Sequence, residues 1–147
     1  MCGIAGILNY DRSRVNKEVL LDMNEAMSLR GPDDSGHYIN DNCGIAMRRL
    51  SIIDLDGGKQ PISNETDTIH VVLNGEIYNY LELRKDLENR GHHFSTQSDT
   101  EVLVHLYEEY GVKAVNHLNG MFAFAIWDSI KKRLWIARER LGIKPLV

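Results

Sequence analysis

The 147-residue sequence lacks the features of exported, membrane-spanning and nucleic-acid-binding proteins. It has two cysteines, Cys2 and Cys43, and no secretory signal, so we expect reduced thiols rather than a disulfide. No apolar run approaches the ~20 residues that a membrane span requires. Lysine and arginine form no long basic run, and the net charge is −4. These absences predict a soluble, cytoplasmic protein with no nucleic-acid partner and no membrane partner.

The composition is that of an ordinary globular domain, with 43% hydrophobic and 26% charged residues. One domain over residues 1–147 is expected, and it should bury about 70% of the surface that the unfolded chain exposes. The six histidines form no zinc-like spacing with the cysteines and no His-x-x-x-His pair. We therefore predict no metal site and expect these histidines to be structural or exposed. The sequence has no phosphate-binding loop either.

Apolar periodicity and turn residues predict a chain of alternating strands and helices. Strands are predicted over residues 3–9, 37–40, 43–49, 69–73, 121–127 and 133–137. A first helix begins at the cap Asn16 and ends near Arg30. Capping-box patterns at residues 79–82 and 98–101 begin two more helices, which end at Gly91 and Gly111. Residues 54–67 are predicted to be a long connection.

The segment 121–127 is apolar at every position, which predicts a strand buried on both faces. A sheet with one face in water does not bury both faces of a strand. Stacked sheets with helices on their outer faces do, because each strand then contacts a sheet on one side and a helix on the other. The sequence therefore favours stacked sheets between helices.

Cys2 combines two reactive groups once the initiator methionine is removed, which a small second residue permits. Its thiol is a nucleophile, and its α-amine, with a pKa near ~8, is partly unprotonated at neutral pH. Enzymes with an N-terminal nucleophile use this pairing of a side chain with its own amine. The alternative is that Cys2 packs as a small hydrophobic residue.

Asn74 and Gly75 follow an apolar strand, where a side-chain amide and a backbone N–H can face the same point. Two such donors are what a tetrahedral oxyanion requires. The alternative is a hairpin turn, which Asn-Gly forms readily. Residues 76–79 lead into a predicted helix rather than a second strand, which disfavours the hairpin.

Arg49 and Asp99 are candidate ligands for an amino acid. A guanidinium group binds a carboxylate through two hydrogen bonds, and a carboxylate in the first helical turn can face an ammonium group. The ordinary alternatives are a weak surface ion pair for Arg49 and a favourable helix-dipole contact for Asp99. Taken one at a time, each residue is better explained by its ordinary alternative.

Taken together, these residues lie in segments that resemble motifs of the class II, N-terminal-nucleophile glutamine amidotransferases. The likeness runs along the whole chain and is greatest to the branch of glutamine-hydrolysing asparagine synthetases. Pro32-Asp33 favours this branch over related amidotransferases. The segments are MCGIAG (1–6), RGPDDSG (30–36), RLSIID (49–54), NGEIYN (74–79), SDTE (98–101), GMFAFA (120–125) and LGIKPL (141–146).

The resemblance implies an α+β fold of the Ntn-hydrolase type, an αββα sandwich of two stacked antiparallel sheets. It implies that the Cys2 thiolate attacks the side-chain amide carbon of L-glutamine, with the Cys2 α-amine as base and then as acid. The Asn74 side chain and the Gly75 N–H would bind the oxyanion. A water molecule would then cleave the γ-glutamyl thioester, which gives glutamate and ammonia.

The resemblance also assigns the substrate's charged groups. Arg49 would bind the α-carboxylate of glutamine, and Asp99, helped by Glu76 or its backbone, would bind the α-ammonium. Two alternatives stay open: an N-terminal-nucleophile hydrolase for another amide, and a non-enzymatic glutamine-binding module that keeps Met1. Only an amino-acid substrate needs both Arg49 and Asp99. These two residues therefore distinguish a glutamine hydrolase from a hydrolase for another amide.

In the family, this half is followed by a synthetase half that binds ATP, magnesium and aspartate and receives the ammonia. That half is absent from residues 1–147, so we expect no cofactor in this chain and do not assign asparagine synthesis to it. The expected partners are L-glutamine and a synthetase domain. A homodimer is left open, because nothing in the sequence fixes the oligomeric state.

Overall fold

The computed structural model describes residues 2–50 and 58–147, which form two sheets and three α-helices. Met1, whose removal is predicted, lies outside these ranges, as does part of the predicted connection 54–67. The elements are β1 (Gly3–Leu8), α1 (Lys17–Glu25), β2 (Asp34–Asn40), β3 (Cys43–Arg49), β4 (Ile62–Ser63), β5 (Ile69–Ile77), α2 (Tyr80–Asn89), α3 (Val102–Tyr110), β6 (Gly120–Asp128) and β7 (Arg133–Arg138). Short 3₁₀ helices cover Asp99–Glu101 and Gly111–His117.

The two sheets are antiparallel and stacked between helices. The first has the strand order β1-β3-β2 and the second has the order β4-β5-β6-β7. One group of core residues, including Met47 and Trp127, fills the space between the sheets. Leu20 of α1 packs on the outer face of the first sheet, and Leu103 of α3 packs on the outer face of the second. The predicted α+β class with stacked antiparallel sheets and outer helices is confirmed.

Strand β6 shows why both of its faces are apolar. Phe122, Phe124 and Ile126 belong to the core under α2 and α3, whereas Ala125 and Trp127 belong to the core between the sheets. This alternation is the two-residue period of a strand. The predicted burial on both faces is confirmed, and it ties the second sheet to layers on either side.

Helix α1 is shorter than predicted. Asn16 caps it as expected, because its side chain accepts hydrogen bonds from the amides of Glu18 and Val19. The helix ends at Glu25 rather than near Arg30. After the helix, the amides of Met27, Ser28 and Arg30 bond three residues back, which tightens the chain into turns. These turns bring Gly31 against the backbone of β3, where a Cβ would overlap Arg48.

Two of the predicted turns and caps are wrong in detail. Strand β5 continues to Ile77, so Asn74 and Gly75 lie within a strand, neither at its end nor in a hairpin. The side chain of Asn79 makes no cap bond and instead bonds the backbone at His117 and Asn119. These long-range contacts replace the local capping box that the sequence pattern predicted.

The second capping box is also incomplete. Ser98 accepts a hydrogen bond from the Thr100 amide at 3.2 Å, as a cap does. Glu101, however, binds the amides and hydroxyls of Ser95 and Thr96 rather than the Ser98 amide. The first turn is a 3₁₀ helix, and α3 begins only at Val102. Gly111, with φ of 57°, ends α3 as predicted.

None of the helices in the described ranges has the length and apolarity needed to cross a bilayer.

Candidate active site

A cavity of about 410 Å³ lies where the edges of the two sheets meet the 3₁₀ turn before α3. All six residues that the sequence singles out line it: Cys2, Arg49, Asn74, Gly75, Glu76 and Asp99. Its volume lies within the roughly 300–1,000 Å³ range of small-molecule sites. The fold therefore brings together residues from four parts of the chain, as the prediction requires.

The first sheet positions Cys2 and Arg49 side by side. In the antiparallel register of β1 and β3, Gly3 pairs with Arg48, so the next position along places Cys2 beside Arg49. The backbone of Leu50 contacts the Cys2 sulfur: its amide nitrogen is 3.4 Å from Sγ and its carbonyl oxygen 3.7 Å. The Arg30 side chain donates to the Cys2 carbonyl at 3.3 Å. The thiol is therefore oriented by the backbone at the end of the sheet.

The second sheet positions Asn74. Successive side chains of a strand point to opposite faces, and Val72 of β5 lies in the core between the sheets. Asn74 is two residues further along and faces the same way, toward the first sheet and Cys2. Its side chain is buried, with 4% of its surface exposed. The carboxamide therefore lies in a site that is largely shielded from solvent.

The backbone N–H of Gly75 faces the cavity edge of β5. Alternate amides of an antiparallel strand point to the same side. The Leu73 amide donates to the Gln60 side chain at 2.7 Å, and the Ile77 amide donates to Asp99 at 2.8 Å. Gly75 lies midway between these two residues, so its N–H points the same way, toward the cavity.

Gly75 also has a packing reason to be glycine. A Cβ at this position would lie 2.6 Å from the Cα of Phe122 and would overlap the carbonyl oxygen of Met121. Strands β5 and β6 therefore approach each other too closely for any side chain here. The identity of this residue is explained by packing, and its N–H is available to the site as a consequence.

Asp99 is a buried carboxylate at the cavity wall, 5% exposed. Burial raises its pKa above the usual range, and the nearby charge of Glu76 adds to this. Hydrogen bonds from the backbone of Ile77 and Thr100 act in the opposite direction. A carboxylate in this environment gains most from a cationic partner, because a nearby positive charge favours its ionised form.

Arg49 supplies the opposite charge in the same cavity. It is the last residue of β3, and only 4% of its surface is exposed. A buried guanidinium and a buried carboxylate on one cavity match a ligand that carries both an anionic and a cationic group. A free amino acid is such a ligand.

Sequence reasoning missed Gln60, which holds two parts of the site together. Its side-chain oxygen accepts from the Leu73 amide at 2.7 Å, and its side-chain nitrogen donates to the Thr100 hydroxyl at 3.2 Å. It thereby links β5 to the turn that carries Asp99. Lys144 also lines the cavity; it lies in the motif at residues 141–146, to which no role was assigned. For Gln60 no local pattern gives a signal.

Comparison with known proteins places the chain among amidotransferases. The sequence profile described as "Glutamine amidotransferase domain" matches residues 1–147. Asparagine synthetase [glutamine-hydrolyzing] 2 of Bacillus subtilis is 50% identical over 149 residues, and asparagine synthetase [glutamine-hydrolyzing] 3 of Arabidopsis thaliana is 44% identical over 147 residues. Each alignment covers 99% of this chain, but only 20% and 25% of the respective relatives. The chain thus spans a quarter or less of their length.

Two solved structures resemble the fold. Glutamine phosphoribosylpyrophosphate amidotransferase from B. subtilis, complexed with ADP and GMP, gives a TM-score of 0.67 at 19% identity, covering 86% of this chain and 35% of that one. A structure described as the allosteric regulatory enzyme of purine biosynthesis gives 0.58 at 26% identity, covering 73% and 25%. The first likeness, at this low identity, supports the fold alone.

Proposed function

Since the chain belongs to the glutamine amidotransferase domain family, we propose that it hydrolyses L-glutamine to L-glutamate and ammonia in the cavity around Cys2. The observation that carries this proposal is the shared cavity of a thiol, two candidate oxyanion donors and buried groups of opposite charge. Each feature alone has an ordinary explanation. Their convergence from separate segments fits one substrate type, an amino acid with a reactive side chain.

The proposed reaction begins with Cys2 as the N-terminal residue, after loss of Met1. Its α-amine accepts the thiol proton, and the thiolate attacks the side-chain amide carbon of glutamine. The carbonyl oxygen becomes an oxyanion, which the Asn74 carboxamide and the Gly75 N–H bind. Two donors held in place before the reaction stabilise that charge without reorganisation.

The tetrahedral intermediate then collapses. The carbon–nitrogen bond breaks, the protonated α-amine of Cys2 returns its proton to the departing nitrogen, and ammonia leaves. A γ-glutamyl thioester remains on Cys2. Water attacks this thioester with the α-amine again as base, which releases glutamate and restores the thiol.

Arg49 and Asp99 hold the backbone end of the substrate in this proposal. The guanidinium of Arg49 binds the α-carboxylate, and the carboxylate of Asp99, with Glu76 nearby, binds the α-ammonium. The raised pKa of Asp99 in the free protein supports this role, because an ammonium ligand would compensate for its burial.

The ammonia has a proposed destination outside these residues. The relatives named as glutamine-hydrolysing asparagine synthetases are four to five times longer than the matched region. We infer that a synthetase region receives the ammonia and that ATP and magnesium bind there rather than to residues 1–147.

The test is to incubate the purified chain with L-glutamine and to measure glutamate, with the intact mass of the chain determined in parallel. We expect glutamate formation and a mass that lacks Met1. Ammonia release from L-asparagine, whose side chain is one methylene shorter, should be much slower than from L-glutamine. A chain that lacks Met1 and still releases no glutamate would overturn the proposal. So would a chain that keeps Met1 and is active.

A further inference from the structure

Four side chains of types that bind metals, two histidines and two glutamates, converge in a cluster whose residues do not line the active-site cavity. Glu65 lies between β4 and β5, His92 follows α2, and His105 and Glu108 lie one turn apart on α3. One potential ligand atom from each residue lies within 4.8 Å of the others. We refer to these residues as the histidine–glutamate cluster.

The separations within the cluster match a four-coordinate metal site. Glu108 Oε2 is 3.2 Å from His105 Nδ1 and 3.5 Å from His92 Nδ1. Glu65 Oε2 is 3.6 Å from His105 Nδ1, and the other oxygen of the same carboxylate, Oε1, is 3.9 Å from His92 Nδ1. Four N and O ligands of a tetrahedral zinc ion are about 3.4 Å apart, given metal–ligand bonds of about 2.1 Å. Three of these separations lie within a few tenths of an ångström of that value, and the wider pairs, all within 4.8 Å, would have to close as an ion binds.

Each histidine turns the same nitrogen toward the centre of the cluster and the other toward a carboxylate. His92 Nε2 is 3.1 Å from Glu109, and His105 Nε2 is 3.8 Å from Glu101. A carboxylate hydrogen-bonded to the distal nitrogen keeps a proton there and leaves the proximal lone pair for a metal, which is the usual outer shell of histidine-ligated metals. His92 has this arrangement, whereas the contact of His105 with Glu101 is too long for a hydrogen bond.

Both glutamates are anchored through the oxygen that the metal would not use. Glu108 Oε1 accepts from the Asn64 side chain at 2.8 Å, and Glu65 Oε1 accepts from the His93 amide at 2.8 Å. These bonds fix the carboxylates in orientations that leave an oxygen of each for the centre of the cluster. Glu65, Glu108 and His92 are therefore each positioned by a hydrogen bond to a second group.

The cluster is accessible from solvent, although its base is buried. The His105 side chain is fully buried, whereas the side chains of Glu65 and Glu108 are 33% and 26% exposed. An ion can thus enter past the glutamates and reach the histidines. With Glu101 and Glu109 behind the rings, the carboxylates also outnumber the histidines, which favours a divalent cation.

We propose that the histidine–glutamate cluster binds one divalent transition-metal ion, with Zn²⁺ as the best match for its two imidazole and two carboxylate ligands. The site differs from the sequence-based expectation of no metal. The bound ion would join the connection before β5, the segment after α2, and helix α3. Glu101 lies behind the site and belongs to the 3₁₀ turn of Asp99, so the ion would brace one wall of the active-site cavity.

The same contacts have a metal-free explanation, an ion-pair network. Burial lowers the pKa of His105, but its contacts with Glu101 and Glu108 outweigh this and raise that pKa to about 9. A protonated His105 would then hold the carboxylates together. Such a network does not require His92 and His105 to coordinate one ion together, as a metal site does. Metal titration therefore separates the two explanations.

The experiment is a calorimetric titration of the chelator-treated chain with ZnCl₂, carried out in a Cys2→Ala background. Cys2 must be removed, because a terminal thiol and amine bind zinc on their own. We expect one Zn²⁺ per chain. Titration with CoCl₂ should give the visible absorption of four-coordinate cobalt, and Zn²⁺ should raise the melting temperature.

Two ligand variants and one control locate the ion. His92→Ala and Glu108→Gln, each in the Cys2→Ala background, should weaken zinc binding about tenfold or more. His37→Ala removes an exposed histidine of β2 outside the cluster and should leave binding unchanged. Circular dichroism checks folding, and either ligand variant suffices if the other misfolds. Absence of saturable binding, or equal binding by all folded variants, would overturn the proposal.

Discussion

The backbone N–H of Ile77 donates a 2.8 Å hydrogen bond to Oδ2 of Asp99. The strand edge that turns the Gly75 amide toward the cavity therefore also fixes the carboxylate proposed to bind the substrate ammonium. In the proposed function, one strand, β5, would align the two ends of a glutamine molecule: the reacting amide near Gly75 and the α-ammonium near Asp99. Distances along β5 are fixed by backbone geometry, which suits a ligand of defined length.

Replacing Arg49 by lysine tests the carboxylate site. Lysine keeps the charge but loses the paired N–H geometry of the guanidinium, so ground-state and transition-state binding should weaken together. We expect KM for glutamine to rise about tenfold or more, the equivalent of one charged hydrogen bond of about 1.5–3 kcal/mol, with a smaller change in kcat. Steady-state kinetics checks this. A lower kcat at unchanged KM would contradict the role of Arg49.

Replacing Asp99 by asparagine should raise the stability of the chain while weakening its binding of glutamine. Because burial raises its pKa above the unfolded value, the folded chain binds more protons than the unfolded chain between the two pKa values. The contribution of Asp99 to stability therefore falls as pH rises through this window. Asparagine still accepts from Ile77 but carries no charge, so we expect a higher melting temperature at pH 7 together with a higher KM.

The gain in melting temperature should shrink as the pH is lowered through the titration of Asp99, because the wild-type carboxyl is then neutral as well. Thermal melts at several pH values and glutamine kinetics at pH 7 measure the two effects. A variant that is less stable at pH 7, or one with an unchanged KM, would contradict this account of Asp99.

Replacing Gly75 by alanine tests the close approach of β5 and β6. The new methyl group would overlap the backbone of Met121 and Phe122, so the strands must separate. We expect a loss of about 1–3 kcal/mol in the free energy of unfolding, as for other overpacked sites, and a large loss of activity. Urea denaturation measures the first effect.

Gly91→Ala is the matched control for Gly75→Ala. Gly91 has φ of 99° and nothing within 4 Å of a Cβ, so its substitution carries backbone strain without a clash. It should leave glutamine hydrolysis unchanged. If Gly75→Ala kept its activity and lost less stability than Gly91→Ala, the close contact at Gly75 would not matter.

The layers of the fold were predictable because their signals are local. Seven consecutive apolar residues in β6 implied burial on both faces, and Asn16 marked the start of α1. The end of α1 and the extent of β5 were not predictable from local patterns. Gly31 packs on β3, and Asn74 and Gly75 pair with β6, so contacts with distant strands decide both.

The site divides in the same way. Cys2 and Asn74 were predicted because their chemistry suggests a role before their positions are known, and Asp99 because its segment resembles an amidotransferase motif. Gln60 was missed because its role depends on Leu73 and Thr100, 13 and 40 residues away. The histidine–glutamate cluster likewise draws on segments that no fixed spacing connects, and only the pair on α3 has a helical spacing.

The most direct test of the central claim is covalent labelling with an L-glutamine analogue that carries a diazo ketone in place of the side-chain amide. An analogue bound by Arg49 and Asp99 presents its electrophilic carbon to the nucleophile, so peptide mass spectrometry should find one adduct, on Cys2. Cys43 is an internal control, because burial raises the pKa of its thiol to about 12. Excess L-glutamine should protect Cys2. Labelling of another residue, or an unlabelled Cys2 in a chain that hydrolyses glutamine, would contradict the account.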